Sequence, residues 1–111
     1  MKLDFDTWQA LVQLQADYAA AVDSGDWDLW PTFFTEACLY KLQPRENHER
    51  GFPLATLSFD SQASLRDRVY GIKETLFHDP YYQRHVVGAP VIRGVGEDGI
   101  RCESNYAVFR T

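Results

Sequence analysis

Three histidines, two cysteines and one run of alternating charge are the residues of this sequence best equipped for chemistry. His48, His78 and His85 stand with Cys38 and Cys102 at separations that match no metal-ligand motif, because such sites draw on His and Cys in close, regularly spaced pairs. Two cysteines so far apart read as small apolar residues of the interior. The charged run is Arg45-Glu46-Asn47-His48-Glu49-Arg50, set in a polar loop between two short apolar segments. Arginine can clamp a carboxylate with two parallel hydrogen bonds, so this loop could set the register of a contact with a large partner; the plainer reading is a solvated loop. Asp79-Pro80-Tyr81-Tyr82 is a second place of the same kind, since tyrosine is enriched at interface cores, although two tyrosines ahead of a strand also suit ordinary packing.

The elements that must position these residues follow from periodicity. Asp6-Thr7-Trp8-Gln9 has the form of a helix start, with Asp6 or Thr7 as the capping side chain. Trp8, Leu11, Val12, Tyr18, Ala19 and Val22 then fall on one helical face, and Ser24-Gly25 ends the helix. A second, shorter helix capped by Asp26 is predicted through Trp27 to Phe34, with Pro31 tolerated in its first turns. Cys38 to Leu42 and Ala55 to Phe59 read as strands flanking the charged loop. Asp60 or Ser61 caps a third helix whose Leu65, Val69, Ile72 and Leu76 recur every three or four residues. A long strand from Gln83 to Val95 carries Gly88 and Pro90, a pairing that predicts a bulge or sharp bend. Gly94 to Gly99 turns the chain, and Ile100 to Arg110 returns as its partner strand.

Helices first and long strands last describe an α+β domain, in which a curved antiparallel sheet wraps round helices and leaves an apolar cavity. With 111 residues, 45% of them apolar, the chain is expected to form one domain over 1–111. Its net charge of −5 gives no basic footprint, which argues against nucleic acid. No long apolar run marks a leader or a membrane span, and isolated cysteines suit a reducing cytoplasm. An apolar strand runs up to Thr111, so one sheet edge is expected to be bare unless another chain covers it.

Four stretches carry a resemblance: Ala21 to Tyr40 (AVDSGDWDLWPTFFTEACLY), Glu46 to Val69 (ENHERGFPLATLSFDSQASLRDRV), His78 to Ile92 (HDPYYQRHVVGAPVI) and Glu103 to Thr111 (ESNYAVFRT). Together they resemble the cone-shaped α+β fold of nuclear transport factor 2, ketosteroid isomerase and scytalone dehydratase, the SnoaL-like (cystatin-like) superfamily. Within it the sequence is most similar to the small (beta) subunits of aromatic-ring-hydroxylating dioxygenases. The second stretch is the most specific, because the Glu-Asn pair, the Gly-Phe-Pro-Leu turn and the Leu-Arg-Asp-Arg-Val helix occur together there. Chains of that family are longer, so the resemblance implies a domain lacking the last strands.

What the resemblance implies is a structural subunit without a cofactor of its own, assembled as a homo-oligomer, a dimer or trimer, and supporting an alpha subunit. That partner would hold the Rieske [2Fe–2S] cluster and mononuclear iron, in the cytoplasmic breakdown of aromatic compounds. The donor set agrees: a Rieske centre takes two Cys and two His in close-set pairs, and a non-haem iron takes two His and a carboxylate. Interface candidates on this reading are Arg45, Glu46, Asn47, His48, Glu49, Arg50, Asp79, Tyr81 and Tyr82.

The lyase and isomerase relatives imply an alternative. Tyr18, Asp23 and His85 occupy positions resembling those from which such enzymes draw acid, base and orienting groups. Histidine moves a proton near neutral pH, a carboxylate can hold its tautomer, and a tyrosine hydroxyl can polarise a carbonyl. Against this, strand alternation places His85 with Val87, Ala89 and Val91 on one face, where a histidine is commonly a hydrogen-bonded core residue. A third reading is a ligand-binding homodimer that performs no chemistry.

Overall fold

The computed structural model describes residues 3–51, 57–74 and 82–111. The chain divides into two compact units, one formed by Met1–Asp26 with Asp79–Thr111 and the other by Trp27–His78.

The first unit is built on helix α1, Phe5–Ser24. Its start is capped by Asp4 and not by Asp6 or Thr7: the Thr7 N–H donates to Asp4 Oδ1 at 2.7 Å, which also holds the Asp4 carboxyl below its ordinary range. Asp6 falls inside the first turn, where a negative charge favours the positive end of the helix dipole. The predicted end at Gly25 is observed. Gly25 adopts the left-handed conformation (φ 70°), so its N–H reaches the Val22 carbonyl while the Asp26 N–H reaches that of Ala21, a Schellman closure. Along the helix Trp8, Leu11, Tyr18, Ala19 and Val22 are half-buried, but Val12 is exposed and Gln15 stands half-buried in its place. Gln15 is satisfied there by a reciprocal pair with Ser104, Nε2 donating to Oγ at 2.9 Å and Oγ donating to Oε1 at 3.1 Å.

The predicted long strand and its partner are one hairpin broken into two ladders. Strand β3 (Gln83–Val87) pairs antiparallel with β6 (Tyr106–Arg110), and β4 (Val91–Gly96) pairs with β5 (Gly99–Glu103). The break falls at Gly88 to Pro90, as expected from a proline that cannot donate to a ladder. A single bond carries the pairing into it, from the Gly88 N–H to the Asn105 carbonyl at 2.7 Å. In β4–β5 the register shifts between Ile92 and Gly94, a bulge at Arg93, and the turn is the Glu97-Asp98 pair. Helix α1 packs on β3.

The second unit replaces the predicted second helix with a short 3₁₀ turn, Trp30–Phe33. Pro31 near its start has no N–H, and the Thr32 and Phe34 amides bond three residues back, to Leu29 and Pro31, so the tighter winding wins. Trp30, 6% exposed, is the hub of an aromatic cluster: Trp27, Phe34, Tyr40 and Phe59 meet it edge to face, with ring centroids 5.7 to 6.5 Å away. Tyr40 and Phe59 are brought together by the antiparallel pair β1 (Tyr40–Leu42) and β2 (Leu57–Phe59), whose remaining predicted residues, Ala55 and Thr56, lie outside the described residues. Between those strands the charged run forms one helical turn, α2 (Arg45–Glu49), where a loop was expected. Helix α3, Gln62–Glu74, is capped by Ser61, whose Oγ accepts from the Ser64 N–H at 3.1 Å; Leu76 lies outside the described residues. Gln62 pins its start to the 3₁₀ turn by donating to the carbonyls of Pro31 and Phe34. Leu65 and Val69 are buried, Leu65 completely.

Leu65, 0% exposed, should therefore dominate a truncation series. Leu65→Ala is expected to destabilise the chain by about 2–5 kcal/mol and Leu14→Ala, on the exposed side of α1, by less than about 1 kcal/mol, in urea unfolding followed by tryptophan fluorescence.

Candidate functional site

Of the sequence candidates for proton chemistry, the fold brings together Asp23 and His85, one from each of the two chain segments of the first unit. Asp23 lies in the last turn of α1, where the helix dipole disfavours a negative charge and no basic residue compensates it. What compensates it is β3. The His85 N–H donates to Asp23 Oδ2 at 2.8 Å, and the His85 ring nitrogen Nδ1 lies 2.5 Å from Asp23 Oδ1. One residue thus satisfies both carboxylate oxygens, with its backbone and its ring. Since an ionised carboxylate only accepts, Nδ1 carries a hydrogen, and in the neutral imidazole Nε2 is then the atom with a lone pair.

The side chains are 11% (Asp23) and 23% (His85) exposed, and the Tyr106 ring lies tilted beside the imidazole at 6.2 Å. Burial works to raise the Asp23 pKa, but the ring and backbone hydrogen bonds from His85, with added charge attraction from His85 and then Arg84, outweigh it and leave the carboxyl below its ordinary value. Gln83, two residues earlier on β3, donates from Nε2 to the Val22 carbonyl at 3.3 Å and accepts from Arg110 on β6. Two residues of α1's end, Val22 and Asp23, and two of β3, Gln83 and His85, therefore form one hydrogen-bonded clasp. Tyr18 is half-buried on α1, five residues and about 7.5 Å of helix rise before Asp23.

The charged candidates are arranged differently. On α2, Arg45 pairs with Glu49 at 2.7 Å and Arg50 with Glu46 at 3.1 Å, both at i,i+4 spacing and both exposed. Pairs of this kind contribute about 0–1 kcal/mol, and each arginine has a carboxylate of its own helix as partner. His48 is exposed on the same turn, and Tyr82 is 85% exposed. The side chain of Asn47 lies outside the described residues, as do Asp79, Tyr81 and His78. Cys38 and Cys102 are both free and half-buried. Among the described residues no three His, Cys, Asp or Glu side chains cluster as metal ligands, and no helix is long and apolar enough to cross a membrane.

Sequence reasoning missed Gln15 and Ser104, for which residue type gives no signal, and a cleft along α3. The second was accessible, because Arg66, Tyr70 and Lys73 repeat at helical spacing.

Comparison with known proteins places this geometry in context. The pattern of the SnoaL-like domain family matches residues 6–110. The small subunit of anthranilate 1,2-dioxygenase from Burkholderia cepacia is 32% identical over 108 residues, 97% of this chain and 67% of that protein. The beta 1 subunit of the terminal oxygenase component of terephthalate 1,2-dioxygenase from Comamonas sp. is 35% identical over 90% of this chain and 65% of that protein. The chain thus spans about two thirds of the length of the curated relatives it matches. Among solved structures, a beta subunit assigned to an aromatic-ring-hydroxylating dioxygenase of Novosphingobium aromaticivorans superposes with a TM-score of 0.86 at 34% identity, covering 95% of this chain and 66% of that one. The beta subunit of benzoate 1,2-dioxygenase from Burkholderia mallei superposes with a TM-score of 0.66 at 12% identity, covering 99% and 79%, a likeness of fold.

The clasp carries a pH signature. Asp23 has a folded pKa below its ordinary 3.8, so the unfolded chain binds that proton first; the stability it contributes is present above about pH 4 and lost as pH falls through the lower folded value. Asp23→Asn should therefore lower the urea midpoint at pH 6 and lose less stability than the parent between pH 4 and pH 3. Asp4, also lowered, is shared by both chains and cancels in the difference. A gap that stays constant over this range would show that the clasp does not depend on the carboxylate charge.

Proposed function

The chain belongs to the SnoaL-like domain family, among the small subunits of ring-hydroxylating dioxygenases, and from that premise we propose that it is a structural beta subunit supporting an iron-bearing alpha subunit in the hydroxylation of an aromatic compound. The observation that carries the reading is the similarity to the anthranilate 1,2-dioxygenase small subunit along 97% of the chain, joined to the TM-score of 0.86 with a beta subunit of the same kind.

The chemistry of the chain supports it. Among the described residues, the donors a Rieske cluster or a mononuclear iron would take are scattered: Cys38 ahead of β1, His48 on α2, His85 on β3 and Cys102 on β5, with His85 already committed to Asp23. On this reading both iron centres belong to the alpha subunit, and the present chain contributes scaffolding. Its surface suits association. The β3–β6 ladder exposes apolar side chains on both faces, Val87, Tyr106 and Val108 on one and Val86 and Phe109 on the other, and apolar residues left in water are what subunits cover in assemblies. A homo-oligomer bound to alpha subunits in the cytoplasm, acting on an aromatic acid, completes the proposal.

The Asp23–His85 pair favours a second reading, a lyase or isomerase in which His85 moves a proton through Nε2 while Asp23 holds its tautomer. The two are separated by one experiment. Co-expressed with an alpha subunit encoded beside it, the chain should co-elute on size-exclusion chromatography, and the complex should hydroxylate an aromatic acid with His85→Ala retaining activity within about tenfold of the parent, the margin below a general acid–base contribution. Failure to associate, with turnover of a small substrate that requires His85, would overturn the subunit reading.

A further inference from the structure

Arg66, Val69, Tyr70 and Lys73 recur at spacings of three and four along α3 and so share one side of that helix. Trp27, Asp28 and Pro31 stand across from them, and together the seven residues line an open cleft of about 230 Å³. Its apolar part is deep: Pro31 is fully buried and Val69 nearly so, while the Tyr70 ring, 65% exposed, stands at the rim. Lys73 is neutralised locally, its ammonium 3.0 Å from both carboxylate oxygens of Asp28. Arg66 is not. Among the described residues its guanidinium makes no ion pair or hydrogen bond, on a chain whose net charge is −5.

An unpaired guanidinium beside an aromatic and apolar cleft is the donor set for a carboxylate carried on a flat apolar body: the planar fork takes both carboxylate oxygens, and the ring gains contact with proline, valine and indole. The volume admits one substituted ring and is too small for a folded peptide segment. We propose that this cleft binds a small aromatic monocarboxylate, its ring against Trp27, Pro31 and Val69 and its carboxylate on Arg66. The site lies wholly within the Trp27–His78 unit and does not rest on the assembly reading above.

The test titrates benzoate into the full chain and follows the indole N–H signals of Trp27 and Trp30 and the backbone amides of α3 by nitrogen–proton NMR. Saturable shifts at these positions are expected, with Arg66→Ala weakening binding about tenfold or more and Arg101→Ala, on β5, leaving it unchanged. Benzamide, which keeps the ring and loses the charge, should bind about tenfold weaker, and Arg66→Lys should recover part of the affinity lost in Arg66→Ala. Absence of saturation, an Arg66→Ala chain that binds benzoate as the parent does, or acetate acting as strongly as benzoate would each overturn the proposal. Arg66 is exposed, so unchanged strand amides in Arg66→Ala confirm that the fold is intact. Co-elution with an alpha subunit is read separately, so failure here and failure of the subunit reading are distinguishable.

Discussion

The first unit depends on the satisfaction of one badly placed charge. A carboxylate in the last turn of a helix meets the negative end of the backbone dipole, and Asp23 is stable there because His85 supplies two donors to it from β3. Gln83 adds a third donor to the same turn, at the Val22 carbonyl. Helix and strand are consequently fixed in register as well as packed, since sliding β3 by one residue would turn His85 and Gln83 away from α1 together. The apolar contacts between the two elements are non-directional and would tolerate that slip; the clasp would not.

The second unit solves a different problem, that of building a core from few residues. It does so with aromatic area. Trp30 meets four rings edge to face, which gives the cluster orientation as well as burial, and α3 closes over the turn that holds it through the two bonds from Gln62. The same helix then has one side committed to the core through Leu65 and Val69 and a neighbouring side left to line the cleft.

How much of this could be read from the sequence varied with how local the cause was. Gly25 announced its helix end, because only glycine takes the left-handed conformation there without strain. Gly88 and Pro90 announced the break in the hairpin for an equally local reason. The start of α1 was misplaced by two or three residues because Asp4, Asp6 and Thr7 all have capping side chains, and only geometry decides which meets a free N–H. Around Pro31 the periodicity of the aromatics argued for an α-helix, and the missing N–H overrode it. The turn at Arg45–Glu49 was legible in principle, since its charges alternate at i,i+4, but the same charges were equally suited to a partner. Asp23 and His85 could be named together only through likeness to known folds, because nothing in local sequence relates residues so far apart.

That distance sets the order in which the molecule can form. The caps of α1 are local, each closed within a few residues, so their bonds need no other part of the chain. The bonds from His85 to Asp23 span 62 residues, and closing a loop of that length costs on the order of 4 kcal/mol of chain entropy before any contact rewards it. On a ribosome the end of α1 therefore waits for β3 to emerge, with the whole Trp27–His78 unit made in between. Until then the Asp23 carboxylate is without its partner on β3, and the nascent chain has its local caps without a settled register.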